Sequence, residues 1–282
     1  MRRIYLLCCV TIATSLAVGC SAISFAYNNA SSFVASELDD AFDLDDAQEL
    51  ELEERLQKFF AWHRQHELPH YQQTLNAAAI TIADGISAAE FLELSALLRL
   101  AWRRSLTQAI HDLGDLALTL SPAQIDHFQQ YLHDEAEEYR DYLQMSVQQR
   151  TIFRVKRGLK RMQGWFGKLD ESQQEKISLR LQQLPDFYPA WITYREARQQ
   201  ALLDALRKAS SEGLSRQQLE FILLDPASDY ARNFEPMRTA FWRSYAQAIE
   251  DIAGLLRKSH LEHAVDRLQD YADTAADLVS DP

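Results

Sequence analysis

Leu120-Ser121-Pro122-Ala123-Gln124-Ile125 reads as the start of a helix. The Ser121 hydroxyl can accept the orphan N–H three residues on, and Gln124 can reach back to the N–H of Ser121 itself. Pro122 falls at the first helical position, where its missing donor costs nothing. Leu120 and Ile125 can close over this start as a hydrophobic staple. The same grammar recurs at Leu44-Asp45-x-x-Gln48, Ile86-Ser87-x-x-Glu90, Leu169-Asp170-x-x-Gln173 and Leu214-Ser215-x-x-Gln218, with a weaker version at Ser259-x-x-Glu262. Gly85, Gly167 and Gly213 stand just upstream of three of these starts, where a preceding helix should end left-handed.

Working outward from these starts, the pattern is helical from about residue 37, and no convincing alternation of a half-buried strand occurs. Pro69, Pro185, Pro189, Pro226 and Pro236 are expected to mark bends or joins. Helices are expected near 45–66, 70–84, 87–118, 121–165, 170–183, 188–211, 215–224, 236–256 and 259–278. The fold class is therefore all-α, an irregular multi-helix bundle or superhelix. Trp62, Trp102, Trp165, Trp191 and Trp242 are expected in its core, because large aromatics dominate burial.

Two stretches hint at duplication. Trp102-Arg103-Arg104-Ser105-Leu106-Thr107-Gln108-Ala109-Ile110 aligns, after deletion of one Arg, with Trp242-Arg243-Ser244-Tyr245-Ala246-Gln247-Ala248-Ile249. Each lies between two capping boxes. Residues 37–168 and 169–282 are thus expected to be two related helical halves. Their uneven spacing excludes a regular solenoid.

The N-terminus reads as an export address. Arg2 and Arg3 precede a mostly apolar run from Ile4 to Val18, and Gly19 precedes Cys20. The run is short for a bilayer span and has the order of a signal peptide. Leu16-Ala17-Val18-Gly19-Cys20 resembles the bacterial lipobox, with Ala17 an unusual choice third from the end. The resemblance implies removal of residues 1–19 and lipidation of Cys20, with 20–36 as the lipidated N-terminus and tether. The other two cysteines, Cys8 and Cys9, would leave with the leader, so neither a disulfide nor a cysteine metal site would remain. By resemblance to enterobacterial sorting, Ser21 implies delivery to the outer membrane.

The 282 residues carry a net charge of −12 and only 8 Gly and 7 Pro. That excludes collagen-like and low-complexity classes and makes nucleic acid a poor partner. Charge is segregated. Residues 37–54 contain ten acids and no base, whereas 142–169 contain seven bases and no acid. On a helix Arg150, Arg154, Arg157 and Arg161 share an arc of about 60°, with Ile152, Val155, Leu159 and Met162 pointing away. The four arginines are expected to face outward as an anion-binding stripe. Its partner would be the acidic 37–54 segment or an external anion such as lipid headgroups or peptidoglycan carboxylates.

Few residues suggest chemistry. His63, His66 and His70 fall at i, i+3 and i+7 beside Glu67, a spacing that could bind zinc, but Pro69 should interrupt it and a solvated or stacking face is expected instead. Glu171-Ser172 resembles the Glu-Ser pair of helical lytic transglycosylases, yet it sits in a capping box, where an acid is expected from the helix dipole. No nucleophile elbow, P-loop or Rossmann glycine pattern occurs. No cofactor and no enzymatic activity are expected.

Tyr27-Asn28-Asn29 after Cys20-Ser21, Leu44-x-x-x-Gln48, Trp62-His63-Arg64 with Glu67-Leu68-Pro69, Leu120-x-x-x-Gln124, and Trp165-Phe166-Gly167-Lys168-Leu169-x-x-x-Gln173 carry a wider resemblance. The chain is similar to an uncharacterised family of proteobacterial lipoproteins. That resemblance implies an all-helical envelope protein and no activity. The expected function is a lipid-anchored, periplasm-facing binding or scaffolding module of the outer membrane. Its partner would be an envelope protein or peptidoglycan. A peptidoglycan-cleaving enzyme and a passive tether are the rivals. A pocket lined by an isolated buried Glu would favour the enzyme; a shallow charged groove would favour the binder.

Overall fold

A computed structural model describes residues 20–212, 216–224 and 229–280. The expected leader, residues 1–19, and the Ser215 cap lie outside the described residues, as does the Cys20 side chain. The described residues form helices α1 (Cys20–Asn28), α2 (Ala30–Phe42), α3 (Asp46–His66), α4 (Leu68–Ile82), α5 (Ala88–Ala117), α6 (Pro122–Glu135) and α7 (Glu137–Gln144). They continue with α8 (Val147–Phe166), α9 (Glu171–Gln182), α10 (Tyr188–Glu212), α11 (Arg216–Leu224), α12 (Asp229–Ala253) and α13 (Lys258–Ser280). The protein is an all-α, irregular multi-helix bundle.

The capping boxes at Asp45, Ser87, Ser121 and Asp170 are all formed, each with both of its reciprocal hydrogen bonds. Gly85 and Gly167 adopt φ of 105° and 75°, values open to glycine at little cost. Two boxes also join each other. The Gln48 and Gln124 amides exchange hydrogen bonds, and Gln124 donates onward to the Asp43 carbonyl. Local helix-start residues thereby fix the register of α3 against α6.

Four expectations need correction. Helix begins well before residue 37, since α1 and α2 cover most of residues 20–42, with α1 packed on α13 and α2 on α3. The single helix expected over 121–165 is three. The chain turns at Ala136, extends at Met145 and restarts at a further box, Ser146-x-x-Gln149, whose leading apolar residue is Met145. Pro236 lies inside α12, which begins seven residues before it. That early turn is held by Phe234, buried between the rings of Phe187 and Tyr194 at 5.1 and 4.4 Å. Last, α13 does not use Ser259 as its cap. It starts one residue earlier, and buried His260 accepts the Arg257 N–H through Nδ1 at 3.0 Å, the part a Gln plays elsewhere.

The core is a set of linked clusters. The largest joins Ile86, Met162, Leu169, Ile177, Leu181 and Ile252 across α8, α9 and α12. Others join α2, α6 and α10 around Ile125, and α3 to α5 around Leu56. Helices α4 and α13 pack through small residues, Ala78 and Ala79 against Leu268. Helices of 169–282 therefore share core with helices of 37–168.

The tryptophans are not at the centre of the core, although Trp165 and Trp191 pack against its edge. Trp102 is 67% exposed, and the other four are half-buried. The interior is mostly Leu, Ile and Ala, with Phe128, Tyr139, Tyr142, Met162 and Phe234 also buried, and its alanines let helices approach closely. Gly158 serves the same end: a Cβ there would come within 2.9 Å of Leu181 Cδ1. That contact explains a glycine that by itself weakens α8 by about 1 kcal/mol.

Candidate functional site

The elbow between α3 and α4 gathers residues that are far apart in sequence. Helix α3 ends at His66, and α4 starts at Leu68 with Pro69 in its first turn. Glu67 at the joint is 1% exposed. Arg104 of α5 grips it with both edges of a fork, Nε to Oε1 at 2.7 Å and Nη2 to Oε2 at 2.8 Å. The Arg104 side chain remains 45% exposed, so the pair runs from the interior to the surface.

One turn back, His63 Nδ1 meets the Tyr27 hydroxyl at 2.9 Å. Arg64 donates to Asn28 Oδ1 at 2.8 Å and to the Leu278 carbonyl at 2.7 Å, and lies over the Tyr27 ring. The elbow therefore clamps α1, the helix that begins at Cys20, to both α3 and α13. Burial pushes the Tyr27 phenol up to about 12, against the opposing pull of Arg64. Burial also raises Tyr71, whose ring stands 5.7 Å from that of His63.

Burial lowers the His63 pKa, outweighing the charge of Glu67, which raises it. The folded protein therefore resists a proton that the unfolded chain accepts. The stability this contributes is present above the ordinary value of 6.5 and is lost as pH falls through the lower folded value. Thermal melts at about pH 7.5 and about pH 5 should show a fall in melting temperature that is smaller in His63→Gln. An equal fall in both proteins would exclude His63 as its source.

The three histidines take separate roles. His63 binds Tyr27, His66 stacks on Trp62 at 5.6 Å, and exposed His70 lines a depression. Among the described residues no group of three potential ligands could hold a metal.

Two shallow depressions flank α5. One, of about 250 Å³, is lined by His70, Gln73, Thr74, Leu97, Ala101 and Arg104. The other, of about 350 Å³, is lined almost wholly by charge: Glu51, Glu54, Arg55, Lys58, His111 and Asp112. The buried acid beside the first depression, Glu67, is paired and not isolated. Glu171 and Ser172 are exposed in the first turn of α9.

The arginine stripe is not one outward face. Arg150 turns inward to Asp186 at 2.6 Å and to the Met145 carbonyl at 2.8 Å. Arg154 bonds the Leu184 and Pro185 carbonyls at 3.1 and 2.9 Å and lies 3.7 Å from Asp186. Their counter-charge comes from the chain between α9 and α10 and not from the acidic 37–54 segment. Arg157 and Arg161 are exposed, and Arg157 lies over the Phe153 ring at 5.4 Å.

Helical periodicity could not have found the Glu67–Arg104 fork or Asp186, because both contacts cross between elements. Five of the residues quoted for the family resemblance meet at the elbow, Tyr27, Asn28, His63, Arg64 and Glu67, whereas Gln48 and Gln173 serve helix starts elsewhere. A model for a family of unknown function (DUF6279) matches residues 40–234. No curated protein and no solved structure is significantly similar to the chain.

Proposed function

The chain belongs to the DUF6279 family of unknown function, and from its residues we propose a lipid-anchored envelope protein that binds or scaffolds a partner. Cys20 carries the acyl chains after removal of residues 1–19. The body faces the periplasm from the outer membrane, as expected of a proteobacterial lipoprotein. Several acyl chains on one residue hold a protein stably, which a single chain does not.

One observation carries the binding reading: the depression between α3 and α5 is shallow and lined almost wholly by charge, and neither depression beside α5 presents an isolated buried Glu. Such surfaces suit recognition of a polar partner, whereas bond cleavage by a single acid needs a desolvated carboxyl. The clamp of α1 adds to it. Tyr27, Asn28, His63 and Arg64 fix the anchor helix to the body, so the surface would be held at a set angle to the membrane.

A photo-crosslinker at Lys58, an exposed position in the charged depression, tests this in cells. A discrete adduct to an envelope protein or to peptidoglycan is expected, reduced by His111→Glu on the opposite wall. An adduct pattern identical to that from a crosslinker at exposed Glu262 would contradict it.

A further inference from the structure

With Arg150 and Arg154 turned inward, the outward cations of α8 are a different set: Lys156, Arg157, Lys160 and Arg161, all exposed. None of the four makes an ion pair with a described residue. At about 100° per residue they span about 140° of one helix face. Phe153, 36% exposed, sits on the same arc one turn earlier; Ile152, expected to point away from the arginines, is 61% exposed and lies about 40° beyond the arc's edge. The opposite side of α8 is closed, by Met162 in the main core and by Gly158 against Leu181. No acid occurs between Tyr142 and Leu169, in a chain whose net charge is −12.

We propose that this face of α8 docks on an anionic phospholipid surface. Four cations on two successive turns present a concentrated positive charge to headgroup phosphates, and each is worth about 1 kcal/mol at such a surface. Two exposed apolar side chains beside them have no use against a polysaccharide carboxylate, but can enter the headgroup boundary while long Lys and Arg stems reach phosphate. The patch is one ridge of a single helix. That is small against the roughly 800 Å² per partner of a stable protein interface, yet adequate as a second contact beside an acyl anchor. It goes beyond the anchor at Cys20 and does not depend on it.

The test uses residues 20–282, which include every described helix, with Cys20→Ala so that no acyl chain contributes. Sedimentation with phosphatidylcholine vesicles, with and without phosphatidylglycerol, measures the partition. Binding is expected only to the anionic vesicles, and should weaken with salt. Arg157→Glu with Lys160→Glu should lower it at least about thirtyfold. Ile152→Ser should weaken it without changing the salt dependence. A charge-matched control at exposed positions outside both depressions, Arg103→Glu with Lys176→Glu, should bind within about threefold of the parent, and all variants should melt as the parent does. Equal partition into neutral and anionic vesicles, equal losses in the double variant and the control, or binding to purified sacculi in place of vesicles would each overturn the proposal.

Discussion

Arg104→Ala is expected to destabilise the protein by about 3 kcal/mol, read from the denaturant midpoint. The substitution leaves the Glu67 carboxylate, with a side chain only 2% exposed, without its partner. Breaking a buried pair from one side costs about 3–5 kcal/mol, chiefly through the stranded charge. The lower end applies because Arg104 reaches the surface and water can follow where its side chain is removed. The pair itself is worth less than this figure, since Glu67 was taken out of water, and Arg104 partly so, to form it. Glu67→Leu combined with Arg104→Leu should therefore recover most of the loss. A double variant as unstable as Arg104→Ala would mean that the elbow needs the fork for its shape and not only for charge balance.

Ile177→Ala should cost about 3 kcal/mol, and Trp102→Ala less than about 0.5 kcal/mol. Ile177 is 0% exposed and belongs to the cluster with Leu169, Leu181 and Ile252, where α8, α9 and α12 meet. Removing three carbons there leaves a cavity that these packed helices can only partly close. Trp102, the larger side chain, stands 67% in solvent and leaves nothing behind. Residue size alone ranks the two the other way. A costly Trp102→Ala with a mild Ile177→Ala would place the core elsewhere.

These contrasts show what was legible in the sequence. Capping is local: the cap, the N3 side chain and their hydrogen bonds lie within four residues, so the Asp45, Ser87, Ser121 and Asp170 starts could be read from their letters. Ser146 obeys the same grammar and was readable too, but it was hidden within a long amphipathic run. The start of α13 was less accessible, because His260 replaces the usual Gln and a nearby Ser259 offers a decoy. Orientation was not legible. A helical wheel gives the angles among Arg150, Arg154, Arg157 and Arg161 but not which way the helix faces. Asp186, 36 residues after Arg150, decides that two of them turn inward. The elbow was legible only in part. Tyr27, His63, Arg64 and Glu67 stand in short motifs of the sequence, while the 37-residue gap from Glu67 to Arg104 gives no sign that the two meet.

The anchor is the claim on which the account most depends, because the clamp of α1 has its proposed purpose only if Cys20 holds the membrane. Metabolic labelling with palmitate in a proteobacterial host tests it directly. The wild-type chain should incorporate label and float with outer-membrane fractions. Cys20→Ala should accumulate as an unlabelled, uncleaved precursor. Undiminished labelling of Cys20→Ala, or a wild-type protein recovered unlabelled among soluble periplasmic proteins, would contradict the account.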